Sequence, residues 1–572
     1  MLGGGRAGYG GRRRRALATL LLLTGAAALA ACSGGHPSAP ATGGPTAAPT
    51  VGGGAVDYPA PTTPYTVGPG QAYSTVQSAI DAAPEGATIY IHNGTYREEV
   101  TPKRGQTLLG QTRDGARIDG ANAVNASLWR RDGRFWYFQD PWPLVGVTQG
   151  SWNGVTPDLN AQSNDLLHRD DIPLPHMAKL SQVRAGEFYV DYDRRRVYVA
   201  DDPAGHRFEL SVRPIGIADA TRTALNVTIE NLTVEKTASA FNQAGIEMNS
   251  GWVVKDCLVL GNHGRGISTT VDDTIIGTRP PVVGSYAGGG ARASAQRGQA
   301  GSMQVLLSGS LGIGGSPDLG HQSDRFGHPS GDDDAPGADY DNNITITNTD
   351  VGWSNVERFS YWDEGGGIKF SLRNGVRLTG NWVHDSYGPG AWFDTNNRNI
   401  TVTGGLFEDN LAAGVWYEAN PGPYDGGITI TKSTFRRNGN TSLGRGRDFD
   451  GRGQYSQIFL SDSAHVVVQD NYLQVGTVGG FGIAEHFGGR TKPADYTIEN
   501  NVVSIGIPTA AFGFALDGDG FTFDHNTVLT WGEVTPSSNL YSLGANSFAA
   551  WQKAGRDVHG AIAAIAAPDG AR

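Results

Sequence analysis

Three short stretches of this chain share one form. They are Gly367-Ile368-Lys369-Phe370-Ser371, Gly390-Ala391-Trp392-Phe393-Asp394 and Gly414-Val415-Trp416-Tyr417-Glu418, at offsets of 23 and 24 residues. Side chains alternate sides along a strand. The second and fourth places, small or branched and then aromatic, therefore point to one interior. The third and fifth places face out: Lys369, Trp392 and Trp416 in one row, Ser371, Asp394 and Glu418 in the next. A fixed period in the twenties is the mark of a solenoid, in which each repeat buries its apolar side only against its neighbours.

The same period runs on both sides of this stretch. Short strands recur at Val227–Ile229, Trp252–Val254, Ile344–Ile346, Val376–Leu378, Ile400–Val402, Ile428–Ile430, Val466–Val468, Tyr496–Ile498 and Phe521–Phe523. Several units carry an asparagine a few residues on, namely Asn381, Asn471, Asn501 and Asn526. Stacked coil on coil, such amides form a ladder that satisfies buried turn backbone. With 83 glycines and 38% hydrophobic residues, the composition suits a turn-rich β solenoid better than a helical bundle. A net charge of −11 without a long basic run argues against nucleic acid as a partner.

In chain order, Arg6 and Arg12 to Arg15 precede an apolar run, Ala16 to Ala31, too short to span a bilayer comfortably. Residues 1–32 are expected to be an export signal. Its end, Leu29-Ala30-Ala31-Cys32, resembles the bacterial lipobox, and the resemblance implies cleavage before Cys32 and lipidation of its thiol, anchoring the protein to a membrane; the alternative is a simple secretion signal with Cys32 incidental. Residues 33–56, rich in Gly, Pro, Ala, Ser and Thr, read as a flexible tether. Residues 57–124 are expected to hold a helix over Ser74 to Ala83, with Ser74 as its cap, then strands at Thr88–His92, Thr107–Leu109 and Ala116–Gly120. This order resembles the N-terminal cap and first coils of right-handed parallel β-helices of the pectin-lyase-like superfamily. Residues 125–215 break the period, with strands at Gly186–Asp191 and Arg196–Ala200, and read as an inserted small β domain. The main solenoid is expected over 216–546, interrupted at 271–340 by a Gly/Asp-rich loop that ends Asp332-Asp333-Asp334. Residues 547–572 read as a C-terminal cap. The fold class is thus all-β: a right-handed single-stranded parallel β-helix with an N-terminal capping helix and an inserted β domain, expected to be monomeric. Cys257, on an apolar repeat place, reads as core.

Adjacent coils stand about 4.8 Å apart. Asp394 and Glu418 would then hold two carboxyls side by side and outward, and like charges opposite one another on a sheet destabilise it. Two arrangements justify such a pair. One carboxyl can stay protonated beside an ionised neighbour, giving an acid and a nucleophile. Alternatively a cation, Ca²⁺ above all, lies between them. The first predicts a retaining glycoside hydrolase, because retention needs carboxyls about 5–5.5 Å apart and inversion about 6.5–9.5 Å. Asp394 would attack the anomeric carbon and Glu418 would protonate the leaving oxygen and later activate water. Lys369, one coil earlier, supplies a positive charge beside Asp394. Trp392 and Trp416 either stack on sugar faces or pack beneath a neighbouring loop. The second arrangement, with Lys369 as base, is that of a calcium-dependent polysaccharide lyase. A third reading is a non-catalytic surface protein that binds glycans through Trp392 and Trp416. Asn348-Thr349-Asp350 and His263-Gly264 look like turn and scaffold residues.

Gly-x-Trp-x-Asp, an Asn-rich coil, and an aromatic residue beside a Glu one coil later resemble the β-xylosidases of glycoside hydrolase family 120. The resemblance covers about 60 residues. It implies a retaining enzyme on a β-helix with an inserted β domain, acting on a polysaccharide or oligosaccharide, with Asp394 as nucleophile and Glu418 as acid/base. It also implies a substrate-contacting acid about one coil before the nucleophile, which falls on Glu364 with Asp363 beside it.

Overall fold

The computed structural model describes residues 58–139, 141–146, 163–281, 302–315, 343–359, 365–420, 426–439, 456–475, 480–489, 492–506, 510–514, 518–531 and 547–567. Residues 1–56, which hold Cys32, lie outside that set, as do Asp332 to Asp334, Asp363 and Glu364.

Three parallel sheets of 13, 10 and 13 strands wind through the chain, each strand pairing with its counterpart one coil on. Coil after coil of parallel crossovers in one hand gives a right-handed parallel β-helix. All nine strands read from the sequence between 227 and 523 belong to one thirteen-stranded sheet. One inward column of that sheet runs Ile229, Val254, Ile275, Ile346, Leu378, Val402, Ile430, Val468, Ile498 and Phe523 in unbroken register. Every member is buried, and each such side chain contributes about 1.5–3 kcal/mol by leaving water.

The turns are sealed by amides. Asn501 accepts from the backbone N–H of Asn471 and from its Nδ2, at 3.1 and 3.0 Å. Asn526 does the same for Asn501, and Asp557 for Asn526. Asn381 accepts from Thr349 N and donates to Ile346 O, but the ladder is broken after it by Gly405 and resumes at Ser433. The repeated glycine of the starting motif has a steric cause. A Cβ on Gly367 would lie 2.5 Å from Gly390 O, and one on Gly390 2.5 Å from Gly414 O.

The N-terminal helix spans Val76–Ala82, and Thr75, not Ser74, caps it by accepting from Ser78 N. The difference is one residue: Thr75 has the extended backbone a cap requires. The C-terminal helix Phe548–Lys553 places Trp551 Nε1 on Asp557 Oδ2 at 2.8 Å, closing the far end of the core. No helix among the described residues is long and apolar enough to cross a membrane.

The 125–215 insert is built on two four-stranded antiparallel sheets, one of which takes its edge strand, Ala121–Ala123, from the preceding coil. Phe188–Asp191 and Arg196–Val199 pair within the other, as the sequence predicts. Reading 271–340 as a loop needs correction. Thr274–Ile276, Met303–Leu306 and Leu311–Gly315 are strands in all three sheets and make a full coil. Glycine and serine around these strands mask their alternation. Cys257 is fully buried in the core.

Candidate active site

The ten-stranded sheet carries the repeated motif. Five of its strands are Gly366–Ser371, Ala391–Asp394, Val415–Glu418, Ser456–Ser461 and Phe481–His486, adjacent in that order. Their registers align four columns. Ile368, Ala391, Val415, Ile458 and Ile483 form the first, and Phe370, Phe393, Tyr417, Leu460 and Glu485 the third. Apart from Glu485, these belong to the buried core. Glu485 is a buried acid in an inward register that the periodicity did not anticipate. The second column is Lys369, Trp392, Trp416, Phe459 and Ala484, and the fourth is Ser371, Asp394, Glu418, Ser461 and His486. Both turn outward.

Asp394 and Glu418 are thus direct partners on consecutive rungs, as the sequence predicts. Neither is fully buried, and the side chain of Asp394 keeps 23% of its exposure. Each is held differently. Asp394 Oδ2 pairs with Lys369 Nζ at 3.1 Å, and Thr395 Oγ1 donates to Asp394 Oδ1 at 2.9 Å. Glu418 Oε2 accepts from Trp392 Nε1 at 3.1 Å. Asp394 thus meets a full positive charge, and Glu418 has the indole N–H among its partners.

The tryptophans are not open platforms. Trp392 is 2% exposed and Trp416 1%. Their rings stack at 4.5 Å and 8°, and with Ala413, Phe459 and Ala484 they form an apolar cluster outside the main core. Lys369 Nζ sits 3.7 Å from the Trp392 ring centroid. The stacking role expected of the two rings is therefore replaced by another. Trp392 aims its N–H at Glu418 and supports the lysine that pairs with Asp394. Burial of this column needs neighbouring coils and loops, which a local motif does not reveal.

A second pair of asparagines, absent from the sequence reading, fixes the backbone behind both acids. Asn397 Nδ2 donates to Asp394 O at 2.8 Å and Asn420 Nδ2 to Glu418 O at 2.7 Å. Asn420 Oδ1 in turn accepts from Asn397 N. The signal available was an Asn two or three residues past each acid. Arg373 N donates to Asn397 Oδ1, and its guanidinium, pulled down to about 9 by burial, bonds Thr269 O at 2.9 Å. The turn after the site is thereby tied across the 271–340 segment.

The other candidates stand apart. Asp350 lies on a different sheet, buried, accepting from His384 Nε2 at 2.9 Å and Gln304 Nε2 at 3.1 Å. His263 is a buried turn residue bonded through Nδ1 to Ser239 O. Among the described residues, Asp524, His525 and His559 are grouped closely enough for a metal ion, and Asp394 and Glu418 belong to no such group.

Residues 333–448, which include both acids, match the right-handed β-helix region family. No curated protein sequence matches the chain. Among solved structures, it is similar to the complex of XylC with xylose, at 12% identity over 81% of this chain and 83% of that one, with a TM-score of 0.46. A glycoside hydrolase is similar at 11% identity over 75% of this chain and 93% of that one, TM-score 0.44. The A-module of the Azotobacter vinelandii mannuronan C-5 epimerase AlgE4 is similar at 10% identity over 82% and 96%, TM-score 0.35. The likeness extends to architecture alone. The class is that of the right-handed parallel β-helix proteins.

Proposed function

We propose that this protein is an exported carbohydrate-active enzyme, a retaining glycoside hydrolase with Asp394 as nucleophile and Glu418 as acid/base. The observation that carries the reading is the register that makes the two acids partners on consecutive, outward-facing rungs. The rung spacing of about 4.8 Å is nearer the about 5–5.5 Å that retention needs than the about 6.5–9.5 Å of an inverting site.

In the first step an Asp394 oxygen forms a bond to the anomeric carbon as the glycosidic C–O bond breaks. The leaving oxygen takes the proton of Glu418. In the second step Glu418, now a carboxylate, takes a proton from water. The water oxygen attacks the anomeric carbon, and the Asp394 ester is released. Lys369 holds Asp394 for attack, and Trp392 orients Glu418. The motif's resemblance to the family 120 β-xylosidases makes a β-xyloside the first substrate class to test.

The lyase reading is weaker because Lys369, its base, is 6% exposed and already engaged by Asp394 and the Trp392 ring. Glycan binding through Trp392 and Trp416 is weaker because both rings are buried. A screen of 4-nitrophenyl glycosides and wall polysaccharides, with wild type and Glu418→Gln, tests the proposal. Hydrolysis by the wild type and its loss in the variant support it. An unsaturated, ultraviolet-absorbing product sensitive to a chelator would replace it with the lyase.

Export and anchoring through Cys32 belong to the same proposal and rest on residues 1–32 of the sequence. Metabolic labelling with palmitate should mark the wild type and spare Cys32→Ser.

A further inference from the structure

The outward column that holds the two acids does not end with them. One rung past Glu418 it holds Ser461, which is buried, and two rungs past, His486, which is half-buried. Of the ten histidines among the described residues, nine have a side-chain hydrogen bond, ion pair or ring contact. His486 has none.

Phe487 follows directly. It is 38% exposed, one of the few large apolar side chains that the described fold leaves in water, and its ring touches no other. The chain is pinned just beyond it. Gly488 N donates to Asp462 Oδ1 at 2.9 Å, and a Cβ at Gly488 would strike Asp462 Oδ2 at 2.4 Å. An imidazole and a phenyl ring thus follow one another in sequence at an anchored strand end, neither in a hydrogen bond, ion pair or ring contact with the fold.

Hydrogen-bonding groups beside an exposed ring suit a sugar, which offers hydroxyls at its rim and C–H groups on its faces. The two buried tryptophans cannot supply that ring. Resting on the assignment of Asp394 and Glu418, we infer that His486 and Phe487 bind the saccharide leaving group, on the side of Glu418 away from Asp394. Glu418 must touch the oxygen that departs, so the leaving group starts at its rung. Two further rungs add about 10 Å, room for a leaving group longer than one sugar. The substrate class is then an oligosaccharide whose leaving portion is longer than one sugar. His486 meets hydroxyls of the leaving portion and Phe487 carries one of its faces.

The test compares kcat/KM on two probes: the 4-nitrophenyl glycoside cleaved in the screen and the linear trisaccharide of the same sugar. The inference predicts that His486→Ala and Phe487→Ala each lower the trisaccharide-to-aryl ratio about 10-fold, mainly through KM. His486→Gln and Phe487→Tyr, which keep the hydrogen bond and the ring, should restore most of the ratio. Taking a ratio removes any loss from misfolding. An unchanged ratio in an active enzyme overturns the leaving-group site and leaves the catalytic assignment standing. A wild type that cleaves no glycoside removes both.

Discussion

At the scale of single residues, the site separates two carboxyls by what each touches. Asp394 meets Lys369 and Thr395, and Glu418 meets the indole of Trp392. Glu418→Gln should lower turnover of a glycoside with a poor leaving group by about 10²–10⁴-fold. Added azide should restore turnover of an activated aryl glycoside, because azide needs no general base. Lys369→Met removes both the ion pair and the cation over Trp392. A displacement of the nucleophile by about 1 Å costs about 10²-fold, so kcat should fall by that order. An unchanged kcat would show that Lys369 does not position Asp394. The facing of Asp394 and Glu418 was legible because apolar residues at alternate places fix which side is interior. The fate of Trp392 and Trp416 was not. Period two says only that a ring leaves the core, while its burial is decided by other rungs, here Lys369, Phe459 and Ala484.

At the scale of elements, the turns hold the coils in register. Asn501 satisfies Asn471 and bonds Val468 O on one side and bonds Asn526 on the other. Asn501→Ala leaves those buried groups unpaired, each costing about 1–3 kcal/mol, and thermal unfolding should start at a lower temperature. The outer face of a second sheet holds His384 between Asp350 and Asp385, at 2.9 Å from each. Burial alone would lower its pKa, but the two carboxylates raise it to about 10. The folded pKa lies above the unfolded value of about 6.5. The stabilisation is therefore full below about 6.5 and is lost as pH rises toward 10. Chemical denaturation between pH 6 and 10 should show this decline in the wild type and a flatter profile in His384→Gln. The asparagine ladder was legible because its rungs recur at the coil period. The coil formed by Thr274–Ile276, Met303–Leu306 and Leu311–Gly315 was not, because its branched residues Ile275, Val305 and Ile313 stand in short strands separated by long Gly/Ser-rich stretches that break the period.

At the scale of the whole molecule, the inserted β domain is joined to the coils by charge. Lys236 of the solenoid, almost fully buried, meets Asp171 at 2.6 Å and Glu209 at 2.5 Å, both in the insert. Burial draws its pKa down, but Glu235, Asp171 and their neighbours prevail and hold it above the ordinary value. Arg117 on Glu235 and Arg97 on Glu209 extend the network. Lys236→Met removes the cation that bridges Asp171 and Glu209, leaves them the arginines at the network's edge, and should destabilise the protein by less than the about 3–5 kcal/mol of a fully unpaired buried charge. Hydrogen exchange should then rise in the insert before it rises in the coils. The insert's existence was legible from its break in period. Its attachment was not, since these partners are far apart in sequence.

The account turns on Asp394 and Glu418 acting as a pair at one anomeric carbon. Its most direct test is a 2-deoxy-2-fluoroglycosyl inactivator of the sugar found in the screen, followed by mass-spectrometric mapping of the labelled peptide. A covalent label on Asp394, absent from Asp394→Asn, is the predicted result. A label on another side chain, or none while the enzyme releases sugar of inverted configuration, would contradict it.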